Sequence, residues 1–215
     1  MSFRITLGRA AVTLGLGLGA LAGTQAAEIA GMAASADAEQ MLQWVRATQD
    51  HHGLPFAIVD KKAAAVFIFD AQAHPLGAAP VLLGEMPGDQ TVPGVGDKPP
   101  SQVLPEERTT PAGRFASEPG RNLGGDTVVW VDYDSGFAIH RVRPGASHAG
   151  RMKRLLSASP AAHRASLGCV VVSSSFFDNV VAPTLASQPG VVYVLPETRP
   201  VQSLFRPEPV VTASR

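Results

Sequence analysis

The sequence predicts a mainly-β fold with a few short helices and one N-terminal lead-in helix. Two observations carry that prediction. Glycine and proline, at 21 and 18 of 215 residues, are abundant for a helical chain and point to strands joined by turns. Short β-prone runs such as "FAIVD", "AAVFIFD", "DTVVWVDYD" and "GVVYVLPE" recur between turn residues.

The first residues read as an export signal. Arg4 and Arg9 precede the apolar run "AAVTLGLGLGALAG", which is too short to span a bilayer, and small residues follow in "TQAAE". Cleavage is expected after Ala26 or Ala27, so residues 1–26 form a signal peptide, and no stable membrane span remains after it is removed. Removal takes away two basic residues and no acidic one from a chain with 18 of each. With no basic run or stripe, nucleic acid is not an expected partner. The chain is placed in the periplasm or cell envelope.

Residues 36–52 read as an amphipathic helix with Met41, Leu42 and Val45 on one face, Asp37 as its cap and Gly53 at its end. This helix anchors a lead-in over 27–54. A hairpin follows over 56–70, then a strand over 79–85. Residues 86–110 carry proline, glycine and polar residues without an apolar period. Such a loop is either functional or a disordered insertion. Order resumes at "TPAGRFAS". A second hairpin joins "DTVVWVDYD" to "FAIHRVR" through "DSG". The polar, basic segment 143–165 includes a helix-like run at "GRMKRLLSA". "GCVVVS" reads as a buried strand, 176–187 as a helix with Ser175 and Asp178 at capping-box-like spacing, and "GVVYVLPE" as the last strand. The tail over 198–215 is expected to be loose.

Cys169 is the chain's sole cysteine. In an oxidising compartment a lone thiol is either a buried, inert plug or a group kept for its reactivity. A nucleophilic cysteine needs a base to take its proton and donors to hold the oxyanion. Gly168 before it permits close substrate approach. Among six histidines, His51 and His52 end a helix and are expected to be solvated, and His74 lies in a short loop. His148 and His163 fall in the polar segment. His140 lies in the strand-like "FAIHRVR", where alternation turns it away from the face that Ile139 occupies. His140 is thus aimed as a site residue would be. The histidines show no zinc-type spacing, and one thiol offers no cluster, so no metal site is expected.

The ordered segments "TTPAGRF", "FAIH" and "SLGCVVV" resemble the L,D-transpeptidase catalytic domain, also called the YkuD domain. "AIVDKKAAAVFIFDAQ" is similar to that family's opening strands. The resemblance covers about 55–197, which it marks as an L,D-transpeptidase-like catalytic domain. It departs at Leu167, where the family usually carries histidine, and at Val171, where Asn or Arg is usual; the gap from His140 to Ser166 is also longer. The resemblance implies a β-sandwich with Cys169 as nucleophile and His140 as base; His148 is the alternative base, closer to the family's spacing but set in "GASHAGR" rather than on a strand. It further implies that the Arg141 carbonyl orients His140 and that the backbone at Leu167, Gly168 and Cys169 forms an oxyanion hole. Ser166, Arg164 and Arg114 are its candidates for substrate contact, with Ser166 also shaping the turn. The implied partner is a peptidoglycan stem peptide. Cys169 would attack the amide before a terminal D-alanine, leaving a thioester, without cofactor. Resolution by an amine gives a cross-link and by water gives L,D-carboxypeptidase activity. A non-catalytic peptidoglycan-binding domain on the same scaffold is a further alternative.

Overall fold

The computed structural model describes Met1 and residues 28–205. Residues 2–26 of the expected signal peptide and the last ten residues lie outside that range. A short antiparallel pair, β1 (Glu28–Ile29) and β2 (Met32–Ala33), leads into α1 (Ala36–Thr48). The cap is Ser35 rather than Asp37: its hydroxyl accepts the Ala38 amide at 3.1 Å while donating to Asp60. The helix ends before 52 because Gln49 adopts a left-handed conformation there.

Next come β3 (Phe56–Asp60), β4 (Ala65–Phe69), β5 (Pro75–Pro80) and β6 (Leu83–Gly84). The hairpin expected over 56–70 is β3–β4. The strand expected over 79–85 starts earlier and breaks between Pro80 and Leu83. Residues 86–110 are not a disordered insertion: they carry three 3-10 turns, and Val95, Val103 and Glu107 are buried. β7 (Gly113–Arg121), β8 (Thr127–Asp132) and β9 (Phe137–Arg141) form a meander. α2 (His148–Leu155), β10 (Arg164–Ser166) and β11 (Val170–Val172) follow. The last helix, α3 (Ser174–Phe176), is capped by Ser173 and runs directly into a π-helical turn at Phe177–Val181. β12 (Gly190–Val194) ends the main domain.

Eight strands form one mixed sheet in the order β11-β9-β8-β7-β12-β3-β4-β5. Leu82, just past β5, exchanges backbone hydrogen bonds with Val171 of β11 at 2.8 and 2.9 Å, so the two edges meet in a near-barrel. Alternation on β3 and β4 sorts the residues. Ala57, Val59, Val66 and Ile68 fill the interior with Val129, Ile139, Val170, Val172 and Phe177. Phe56, Ile58, Phe67 and Phe69 face outward beneath Met41, Leu42 and Val45 of α1. Each of those buried helix side chains contributes about 1.5–3 kcal/mol, which fixes α1 on the sheet opposite the interior.

The start of the tail is docked rather than loose. Val201 is buried, and the Phe205 ring stacks on Trp44 with centroids 5.3 Å apart. His51, expected to be solvated, is buried, with Nε2 3.1 Å from the Ala71 carbonyl. Among the described residues no helix is long and apolar enough to cross a membrane.

Candidate functional site

β9 and β11 run parallel, pairing Ile139 with Val170 and His140 with Val171. Paired residues share a face, so His140 and Val171 point out of the interior that Ile139 and Val170 fill. Cys169 precedes β11, across from Ala138, and returns to the His140 face. Cys169, Ala138 and His140 line one cavity of about 640 Å³. Loop residues Val95, Gly96, Lys98 and Val103, together with Trp130, Arg143 and Arg151, form its other walls.

The Cys169 thiol packs against Leu82, Leu155 and Val171 on one side and opens to the cavity on the other. Sγ donates to the Gly136 carbonyl at 3.5 Å rather than to the imidazole. Burial pushes the thiol pKa up, against a backbone hydrogen bond from Ala138 and the positive charge of Arg143. His140 Nδ1 lies 2.7 Å from the Arg141 carbonyl. A carbonyl only accepts, so Nδ1 carries the proton and Nε2 presents its lone pair. Burial lowers the ring's pKa to about 4; the Arg141 carbonyl raises it, while Arg143 and Arg151 depress it further. At neutral pH the resting site therefore holds a protonated sulfur and a neutral base.

The turn carrying Cys169 is tied from both ends. Gly168 has φ of +135°, and a Cβ there would lie 3.0 Å from the Thr109 carbonyl oxygen. Ser166 Oγ donates to the Cys169 carbonyl at 2.6 Å and accepts the Gly168 amide at 3.2 Å. Thr110 Oγ1 donates to the Gly168 carbonyl at 2.8 Å and accepts the Gly84 amide at 2.9 Å. The Gly168 amide is thus occupied, while those of Leu167 and Cys169 have no acceptor among the described residues. The Leu167 side chain is 38% exposed on the rim, and Val171 is buried.

Other sequence candidates lie outside the cavity lining. His148 opens α2 and is half-buried. His163 is buried, with its ring nitrogens against the Val81 and Ser157 carbonyls at 2.8 and 2.9 Å. Arg114 pairs with Asp50 at 2.5 Å, and Arg164 pairs with Glu197. The Arg141 side chain turns away to Asp178 at 2.6 Å, over the Phe177 ring. Sequence reasoning did not single out Thr110, Arg143 or Arg151. Thr110 stood inside the quoted "TTPAGRF", and both arginines stood in the segment noted only as basic. Among the described residues, no three His, Cys, Asp or Glu side chains gather as metal ligands do.

No family model and no curated protein matches the sequence. Several solved structures are similar in outline. The helical cell shape determining protein Pgp2 from Campylobacter jejuni is 12% identical with a TM-score of 0.43, over 73% of this chain and 55% of that one. The L,D-transpeptidase (residues 123–326) from Xylanimonas cellulosilytica is 14% identical with a TM-score of 0.37, over 66% of this chain and 60% of that one. The catalytic domain of the E. faecium L,D-transpeptidase is 15% identical with a TM-score of 0.35, over 65% of this chain and 95% of that one. The match thus spans under two thirds of the first two structures. Likenesses of this strength leave the chemistry to be read from the cavity's own residues.

Proposed function

We propose that this chain is an exported cysteine acyltransferase of the L,D-transpeptidase type, acting on peptidoglycan stem peptides. The observation that carries the reading is a shared cavity: Cys169 and His140 open into it from neighbouring strands, with Nε2 of His140 unprotonated. The ordered segments around Thr110, His140 and Cys169 supply the substrate class.

In this reading Nε2 takes the Cys169 proton as Sγ attacks the amide carbonyl preceding the terminal D-alanine. The carbonyl electron pair moves to oxygen, where the free amides of Leu167 and Cys169 stabilise it. Collapse breaks the C–N bond, the imidazolium protonates the departing D-alanine amine, and a thioester remains on Cys169. A second stem's amine resolves it to a cross-link, and water resolves it to a shortened peptide. The Arg141 carbonyl holds the ring's tautomer throughout.

The test is D-alanine release from a tetrapeptide stem by the wild-type chain and by Cys169→Ala. The reading predicts release by the first and none by the second. Equal release by both, or none by either, overturns it. A second reading, a non-catalytic wall-binding domain, is favoured by the thiol's bond to Gly136 and its raised pKa. It predicts that both forms sediment with isolated peptidoglycan and that neither releases D-alanine.

A further inference from the structure

Two arginines line the cavity, Arg143 exposed and Arg151 half-buried. Arg143 follows β9, Arg151 lies on α2, and both line the same space as His140 and Cys169. Neither makes an ion pair or a side-chain hydrogen bond among the described residues. The cavity's other cations are satisfied: Arg108 pairs with Glu85 at 2.6 Å, and Lys98 pairs with Glu107 at 2.5 Å. The remaining acid on the wall, Asp126, accepts from Asn122 at 3.2 Å and lies near neither arginine in ion-pair terms. On the strand that carries the cysteine, Val171 offers no polar group, being buried with Leu82, Val142 and Leu155.

Two unpaired positive charges beside a neutral imidazole leave a cavity that an anion would complete. Guanidinium recognises a carboxylate through paired, charge-assisted hydrogen bonds. The α-carboxylate of a terminal D-alanine lies one residue beyond the amide that Cys169 would attack, so it must sit close to the sulfur. We infer that Arg143 and Arg151 form a carboxylate subsite that binds the free C-terminus of the acyl donor, an inference that rests on the acyl-transfer reading. The subsite selects donors ending in a free acid and places the scissile carbonyl at Sγ. A carboxylate seated there also offsets the charges that weaken His140 as a base, so the ring gains basicity when the donor is in place.

The experiment compares a tetrapeptide stem ending in D-alanine with its C-terminal carboxamide, by calorimetric titration of the full chain carrying Cys169→Ala. The acid is expected to bind about ten- to a hundredfold more tightly than the amide. Adding Arg143→Gln and Arg151→Gln removes that preference, and circular dichroism reports that the variant is folded. Arg151→Lys keeps part of the preference. Equal affinity for the two peptides in the parent, binding of neither, or a preference that survives in the double glutamine variant overturns the subsite. D-alanine release without a free-acid preference in binding sinks the subsite alone. A preference without release sinks the acyl-transfer reading alone.

Discussion

The Thr110 hydroxyl donates to the Gly168 carbonyl across 2.8 Å, joining the end of the long loop to the turn that presents Cys169. The same oxygen accepts the Gly84 amide at 2.9 Å, so one buried hydroxyl satisfies two backbone groups. Thr110→Val keeps the shape and strands both groups. Removing one partner of a buried hydrogen bond costs about 1–3 kcal/mol. Urea unfolding should register that loss, and alkylation of Cys169 should accelerate as the turn loosens.

Gly168 carries the turn's strain. At φ of +135° an alanine is forced into a conformation costing about 1–3 kcal/mol, and its Cβ would press on the Thr109 carbonyl. Displacing the nucleophile by an ångström reduces turnover about a hundredfold. Gly168→Ala is therefore expected to stay folded but to lose D-alanine release by that order, with the donor's binding much less affected.

His140 should titrate near 4, against about 6.5 for an unperturbed imidazole. A ring whose folded pKa lies below its unfolded one binds protons more readily once unfolded. Its contribution to stability is complete above about 6.5 and is lost as pH falls towards 4. NMR titration of the imidazole checks the midpoint directly. In the free enzyme the acid limb of kcat/KM should follow the same group, since only the neutral ring accepts the Cys169 proton.

Behind the cavity, the fully buried Lys61 ammonium donates to Asp89 at 2.9 Å, to the Thr110 carbonyl at 3.0 Å and to the Gly88 carbonyl. Burial alone would raise the Asp89 pKa, but hydrogen bonds from Thr198, Lys61 and the Glu197 and Thr198 amides outweigh it, so the carboxyl titrates well below its usual range. That depressed group contributes stability above about pH 3.9, lost as pH falls below it. Lys61→Met leaves the Asp89 carboxylate without its ammonium, and breaking a buried pair this way costs about 3–5 kcal/mol. Denaturant unfolding at neutral pH should show that drop.

Short β-prone runs between turn residues made both hairpins and the buried strand at 170–172 legible in the sequence, and alternation along "FAIHRVR" gave the outward aim of His140. The helix cap was misjudged because Ser35 reaches Asp60, a partner 25 positions away. The order of the 86–110 segment was equally hidden. Its 3-10 turns are held by tertiary contacts such as the Gly96 amide on the Asp134 carbonyl at 3.2 Å, not by local periodicity. Arg143 and Arg151 stood in a segment noted only as basic, and only the fold brings them to one wall. The ion pairs of Arg114 with Asp50 and of Arg164 with Glu197 join residues 64 and 33 positions apart, which no local pattern signals.

The most direct measurement is the intact mass of the wild-type chain during incubation with a tetrapeptide stem, repeated with His140→Gln. A transient adduct equal to the stem less D-alanine, mapped to Cys169 and lost or greatly slowed in the histidine variant, is the predicted result. An unmodified Cys169 while D-alanine is released, or an adduct forming equally fast without the imidazole, would contradict it.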